Sequence, residues 1–102
     1  MNVVTERNID HVYSRDVRDT YWEQVARSME RVFGKNRALA DTYRQEIERA
    51  PASEQILVYH QEPIEVAADL AGIIEITPDH QRIYIEIADD TEPRQTGWPD
   101  RP

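Results

Sequence analysis

The amino-acid sequence predicts a mainly α-helical fold, a small compact bundle of four to five helices. Apolar residues recur every three or four positions over long stretches, and residues that start and end helices punctuate the chain. Only one stretch, residues 73–88, shows the alternation typical of strands. The length of 102 residues suits one domain. We predict a single helical domain over residues 1–90 and a Pro-rich C-terminal tail over residues 91–102.

The segment from about residue 16 to residue 50 carries the strongest helical pattern. Its apolar stripe comprises Trp22, Val25, Met29, Val32, Leu39, Tyr43 and Ile47. Gly34 suits the end of one helix and Asn36 the start of another. We therefore predict two helices, 16–33 and 36–50, although the continuous stripe would also fit one long helix. Ser14 or Asp16 is expected to cap the first.

The central run, residues 53–72, is the most apolar part of the chain. Ser53 is predicted to cap a short helix that carries Ile56, Leu57 and His60. Pro63 then suits the first position of a second helix, which should end at Ala71 with Gly72 as a left-handed cap. Because this second helix is apolar over most of its circumference, we expect it to be buried on several sides.

Residues 73–88 allow two interpretations. Residues 73–76 and 83–87 alternate like strands, and a hairpin between them would make the fold α+β. The turn of such a hairpin would lack the glycine or asparagine that hairpin turns favour. Thr77, Pro78 and Asp79, in contrast, are typical of a helix start. We favour the helix and keep the hairpin as the alternative.

Charge is distributed unevenly along the chain. The formal net charge is −8, and residues 51–102 carry all of it, with three basic against eleven acidic side chains. Arginines of the first half alternate with acids, which predicts a salt-bridged solvent face. The acidic second half would repel nucleic acids and membrane surfaces and attract a basic protein. We therefore expect neither direct nucleic-acid binding nor a membrane partner.

Further features of the sequence bear on cellular location. It contains no cysteine, so it has no disulfide framework, and no apolar run is long enough to span a bilayer. The first residues carry charges instead of the apolar core of a secretory signal. We expect a cytoplasmic protein.

No set of residues predicts catalysis. The only cluster that could be considered for a metal is His60 with Glu62, and with Glu65 and Asp69 on the next helix. The spacing of known zinc motifs is missing, and no serine stands in a nucleophile elbow. We predict no enzyme, no metal and no cofactor, with a metal-dependent hydrolase centred on His60 as a remote alternative.

The sequence favours a function through protein–protein contacts, as a regulator or adaptor. Adjacent Tyr21 and Trp22 should not both point inward, so one of them is expected on the surface, where aromatic residues favour interfaces. The predicted interaction surface comprises Trp22, Glu62, Glu65, Asp69, Glu75, Asp79 and Trp98. Self-association as a homodimer is left open, since a chain of this size would gain core from it.

The main alternative is a nucleic-acid mimic, an antitoxin-like inhibitor that blocks a basic nucleic-acid-binding protein. Carboxylates spaced along one face, as phosphates are along a strand, would favour this hypothesis. Acids scattered around the molecule would contradict it.

Overall fold

The structure is a computed structural model that describes residues 12–91. Residues 15–91 form five α-helices, α1 (Arg15–Arg27), α2 (Ala38–Glu48), α3 (Ala52–Tyr59), α4 (Pro63–Ala71) and α5 (Pro78–Thr91). No β-strand occurs among the described residues. The predicted helical bundle is confirmed, and residues 78–91 are a helix instead of half of a hairpin. The predicted tail, apart from Thr91 at the end of α5, lies outside the described residues.

Helix α1 begins where the sequence predicts. The Ser14 hydroxyl accepts a hydrogen bond from the Val17 amide at 3.3 Å, which caps the first turn. At its other end α1 continues into a π-helical turn, Ser28–Val32, which the sequence does not signal. Gly34 then adopts a φ of 65°, the left-handed conformation that ends the helical segment.

The break at Gly34 changes the phase of the apolar stripe. Asn36 accepts a hydrogen bond from the Ala38 amide at 2.8 Å, and α2 starts there as an independent helix. The two predicted helices are therefore confirmed, with α2 slightly shorter than expected. Leu39 was expected in the core but is 46% exposed, and Ala40 is buried in its place. A new helix need not keep the register of the previous one, so the continuous stripe was misleading at Leu39.

Helix α3 lacks the predicted cap. It begins at Ala52, the residue before it is Pro51, and no side chain caps it. Ser53 lies inside the first turn and is exposed. The prediction that Ser53 caps this helix is wrong, because the extended conformation of Pro51 starts the helix before Ser53 is reached.

Helix α4 lies at the centre of the bundle, as its composition predicts. It packs against α1, the π turn and α2. Ile64 and Ala67 are fully buried, and Val66 and Ala68 nearly so. Its bounds, Pro63–Ala71 with Gly72 as a left-handed cap, are those predicted. The buried residues of α4 and α5 face the interior of the bundle, and the polar residues of both helices remain on the surface.

Candidate interaction surface

The first end of α4 is closed by a pair of glutamates. Glu62 precedes the helix, and its side chain accepts a hydrogen bond from the Glu65 amide. In return the Glu65 carboxylate accepts from the Glu62 amide at 3.1 Å. This reciprocal capping box satisfies two amides at the positive end of the helix dipole. Both predicted surface acids are exposed, and both also have this structural role.

The Tyr84 hydroxyl, which belongs to α5, is affected electrostatically by the same pair of carboxylates. Burial raises the pKa of Tyr84 to about 12, and the negative charges of Glu62 and Glu65 add to this increase. The phenol is therefore neutral at any physiological pH.

The second end of α4 leads into a tight connection, residues 69–79, which we name the α4–α5 corner. Gly72 has a φ of 75°, and the Ile73 amide donates to the Ala68 carbonyl at 2.9 Å. This bond pattern is the usual closure of a helix by a left-handed glycine. It leaves Ile73 half-buried and turns the chain outward at the next residue.

The far side of the corner is held by a second pair of reciprocal hydrogen bonds. The His80 amide donates to the Thr77 hydroxyl at 3.2 Å, and the Thr77 amide donates to His80 Nδ1 at 3.1 Å. The His80 ring also contacts the edge of Phe33, with ring centroids 4.9 Å apart. The prediction that Thr77 starts a helix is confirmed. Residues 74–76 lie between these two closures and take part in neither of them.

The α4–α5 corner contains an exposed apolar side chain that has acids on both sides of it in the sequence. Ile74 has a relative exposure of 101%, the highest among the exposed large apolar residues of the described chain. Asp69, Glu75 and Asp79 lie within five positions of it in the sequence, and all three are exposed. Asp69 and Glu75 make no ion pair with any described residue. The corner thus combines uncompensated negative charge with exposed apolar surface.

Asp79 differs from its two acidic neighbours. Its carboxylate lies 3.6 Å from the Arg82 guanidinium in the next turn of α5. It also stands in the first turn of α5, where a negative charge is favourable. The charge of Asp79 is therefore partly balanced, while the charges of Asp69 and Glu75 are not.

Acids of α1, the π turn, α2 and α5 are balanced by arginines. We name this region the arginine-paired face, and its pairs are Arg27 with Glu23 and Asp90, Arg37 with Glu23 and Glu30, Arg31 with Glu86, and Arg44 with Asp19 and Glu48. Glu23 is shared by two arginines, at 2.9 Å and 2.8 Å. Partial burial opposes ionisation, but the hydrogen bonds from Arg27 and Arg37 outweigh it and lower the pKa of Glu23. These arginines contact carboxylates, as the alternating charges predict.

The structure places Trp22 away from the predicted surface. Trp22 is 3% exposed and Tyr21 9% exposed, so the expectation that one of them lies on the surface is wrong. Helix α1 is covered by α2, α4 and α5, and it therefore buries neighbouring side chains that point in different directions. Trp22 Nε1 donates to the Tyr59 hydroxyl at 3.0 Å, and the Tyr21 hydroxyl donates towards the carbonyls of Val58 and Gln61, each at 2.9 Å.

The other predicted positions separate into two sets. Glu62, Glu65, Asp69, Glu75 and Asp79 are all exposed along α4 and the α4–α5 corner. Trp98 lies outside the described residues. Ile74, the residue that distinguishes the corner, was not among the predicted site residues. The run of isoleucines around it indicated a strand or a core, and only the Gly72 closure shows which of them faces outward.

No metal site or membrane span emerges within residues 12–91. No three histidine or acidic side chains in this part of the chain are grouped so that they could hold a metal ion. His60 is exposed at the end of α3. Within the same range no helix is both long and apolar enough to cross a membrane.

Comparison of the chain with models of protein families, with curated proteins and with solved structures found no match.

Proposed function

We propose that this protein is a non-enzymatic binding protein that recognises a basic protein partner through α4 and the α4–α5 corner. One observation carries the proposal. The carboxylates of Asp69 and Glu75 are exposed without an ion-pair partner in the described chain, whereas the arginine-paired face balances its own charges. A surface with unbalanced charge attracts partners of the opposite sign and increases their association rate.

The end of α4 strengthens this argument. The C-terminal end of a helix carries partial negative charge from unpaired carbonyls, and a basic residue there is favourable. Helix α4 has no basic residue in its last turn and has Asp69 instead. Helix α5 also ends in acids, but there Arg27 of α1 contacts Asp90 at 2.6 Å. A basic partner would supply at α4 what Arg27 supplies at α5.

The proposal also includes where and with what the protein acts. We place it in the cytoplasm, which fractionation of the source cells would test. Its acidic surface disfavours a homodimer formed through the corner, because like charges would face one another. Any self-association would therefore use another surface.

The experiment that tests this function is a pull-down from nuclease-treated lysate with the full chain as bait. The decisive variant is Asp69→Asn with Glu75→Gln. The matched control is Asp41→Asn with Glu46→Gln, which removes the same charge from exposed positions of α2, in the half of the chain (residues 1–50) that is neutral overall. We expect basic proteins that are captured by the wild type and the control, released by raised salt, and lost from the corner variant. Equal capture by both variants, or capture of nothing at low salt, would contradict the proposal.

The nucleic-acid mimic is the second candidate, and one observation favours it. Glu62, Glu65 and Asp69 are exposed at spacings of three and four residues, which places them on one face of α4. Their positions along the helix axis are roughly 4.5 and 6 Å apart, compared with about 3.4 Å per phosphate along a DNA strand. The mimic predicts that an added DNA duplex competes with the captured protein. A captured protein that duplex DNA cannot displace would exclude the mimic and leave the general proposal intact.

A further inference from the structure

The α4–α5 corner differs from a merely acidic surface because of Ile74. We propose that Ile74 is the apolar anchor of a docking site whose occupant is a basic amphipathic segment of another protein. Apolar side chains of that segment would cover Ile74, and its lysines or arginines would meet Asp69 and Glu75. This inference rests on the proposed function and specifies the chemistry of the partner.

Ile74 is more exposed than the other apolar residues on the surface of the described chain. Single exposed apolar residues are common on protein surfaces, and Leu57 and Ile85 are examples here, at 67% and 62% exposure. Ile74 is different because it is completely exposed. Covering an isoleucine removes its apolar surface from water, so the full exposure of Ile74 leaves that stabilisation available to a partner.

Hydrogen bonds hold the chain on both sides of Ile74. The Gly72 closure of α4 and the Thr77–His80 hydrogen bonds hold the backbone on both sides of Ile74. The Phe33 ring, next to the π turn, packs against the His80 ring. A side chain presented by a fixed backbone loses little conformational entropy on binding, which is a property of effective anchors.

The charges next to Ile74 in the sequence favour a basic occupant. Ile85 lies beside the Arg82–Glu86 pair, whose charged groups are 3.9 Å apart, so its surroundings are balanced. Ile74 lies in the sequence between Asp69 and Glu75, whose charges are not balanced by an ion pair among the described residues. A second copy of this chain or an anionic lipid surface would bring like charges together at this position. A basic segment satisfies the carboxylates and the isoleucine at once.

Two synthetic probes separate the apolar from the electrostatic contribution. One is a fluorescein-labelled amphipathic peptide of arginine and leucine. The other has the same charge, with serine in place of every leucine. Fluorescence anisotropy gives the Kd of each for the full chain. We expect the leucine peptide to bind about tenfold more tightly, because only it can cover Ile74.

The variants locate that preference. Ile74→Ser is expected to reduce the ratio of the two Kd values to about twofold or less. Leu57→Ser, the matched control at another exposed apolar position on α3, should leave the ratio unchanged. Both positions are exposed, so neither variant should change the melting temperature measured by circular dichroism.

Each remaining outcome decides between the two proposals. Equal affinity of the two peptides for the wild type would overturn the anchor, as would an equal loss in Leu57→Ser. If the corner variant, Asp69→Asn with Glu75→Gln, then weakens both peptides, the acidic binding surface stands without its anchor. If the corner variant binds both peptides as the wild type does, the electrostatic proposal fails as well. No measurable binding of either peptide at low salt would overturn the anchor.

Discussion

The two acidic regions of this molecule differ in what balances their charge. On the arginine-paired face each carboxylate of the network has a guanidinium within reach, and the pairs join α1 to α2 and α5. At the α4–α5 corner Asp69 and Glu75 face solvent without such a partner among the described residues. The same residue types therefore serve two purposes. Paired acids hold helices together, whereas unpaired acids are available to another molecule.

The two regions also differ in their apolar residues. Helix α1 contributes to the arginine-paired face, and its Trp22 points inward, in edge contact with Tyr43 and Tyr59. At the corner one isoleucine points outward. Removing the first kind should damage the fold, and removing the second should damage only binding.

The largest expected effect comes from Trp22→Ala. We expect a loss of about 3–5 kcal/mol in the free energy of unfolding, because a large buried side chain is replaced by a cavity. The Tyr59 hydroxyl would also lose the hydrogen bond from the indole. Urea denaturation followed by circular dichroism measures it.

Leu57→Ala is the control for this prediction. It changes an apolar residue that is 67% exposed, and its effect should stay within about 0.5 kcal/mol. If Trp22→Ala has a similarly small effect, Trp22 is not part of the core, and the distinction between inward and outward apolar residues fails.

Local signals in the sequence explain why much of the fold could be predicted. Pro63 and Gly72 mark the two ends of α4, and Thr77 with Pro78 marks the start of α5, because each acts through its own backbone within a few residues. The pair Glu23–Arg27 could be predicted in the same way, since four residues on a helix bring the two groups together.

The candidate site was less predictable, because it depends on contacts distant in sequence. The pair Arg27–Asp90 joins residues far apart in the chain, and no local pattern announces it. The burial of both Tyr21 and Trp22 requires three helices around α1. The composition indicated an acidic half, but only the structure shows that Asp69 and Glu75 are exposed without an ion pair among the described residues, unlike the acids of the arginine-paired face. The outward direction of Ile74 follows from the Gly72 closure, whose effect on the next residues the sequence does not show.

A smaller effect is expected from Gly72→Ala, which tests how firmly the corner is held. A β-carbon at this position would meet nothing within 4 Å, so space is not the difficulty. The φ of 75° is unfavourable for alanine, and we expect a loss of about 1–2 kcal/mol in the free energy of unfolding.

Gly72→Asn provides the comparison, because asparagine tolerates the left-handed conformation better. It should cost less than Gly72→Ala. If the alanine variant is as stable as the wild type, the backbone below Ile74 is not fixed by this closure, and the rigidity argument for the anchor fails.

The smallest effect is expected from Glu23→Gln, which changes a paired acid and is set beside Asp69→Asn, which changes an unpaired one. At neutral pH we expect a loss of about 0.5 kcal/mol in the free energy of unfolding, since Glu23 is partly exposed and its pairs with Arg27 and Arg37 are screened by solvent. Asp69→Asn should cause no loss, and a gain of a few tenths of a kcal/mol is expected from removing an acid at the end of α4. Chemical denaturation of both variants beside the wild type measures the difference.

The pH dependence of stability gives a second test of the pairing of Glu23. The hydrogen bonds from Arg27 and Arg37, which outweigh burial, lower the pKa of Glu23 in the folded protein. Its stabilisation is therefore complete above the pKa of the unfolded chain, about 4.3, and is lost as the pH falls through the lower folded value. The difference between wild type and Glu23→Gln should shrink towards zero below that value. A difference that stays constant down to acid pH would mean that the pairing of Glu23 does not stabilise the fold, and the arginine-paired face would then be no more structural than the corner.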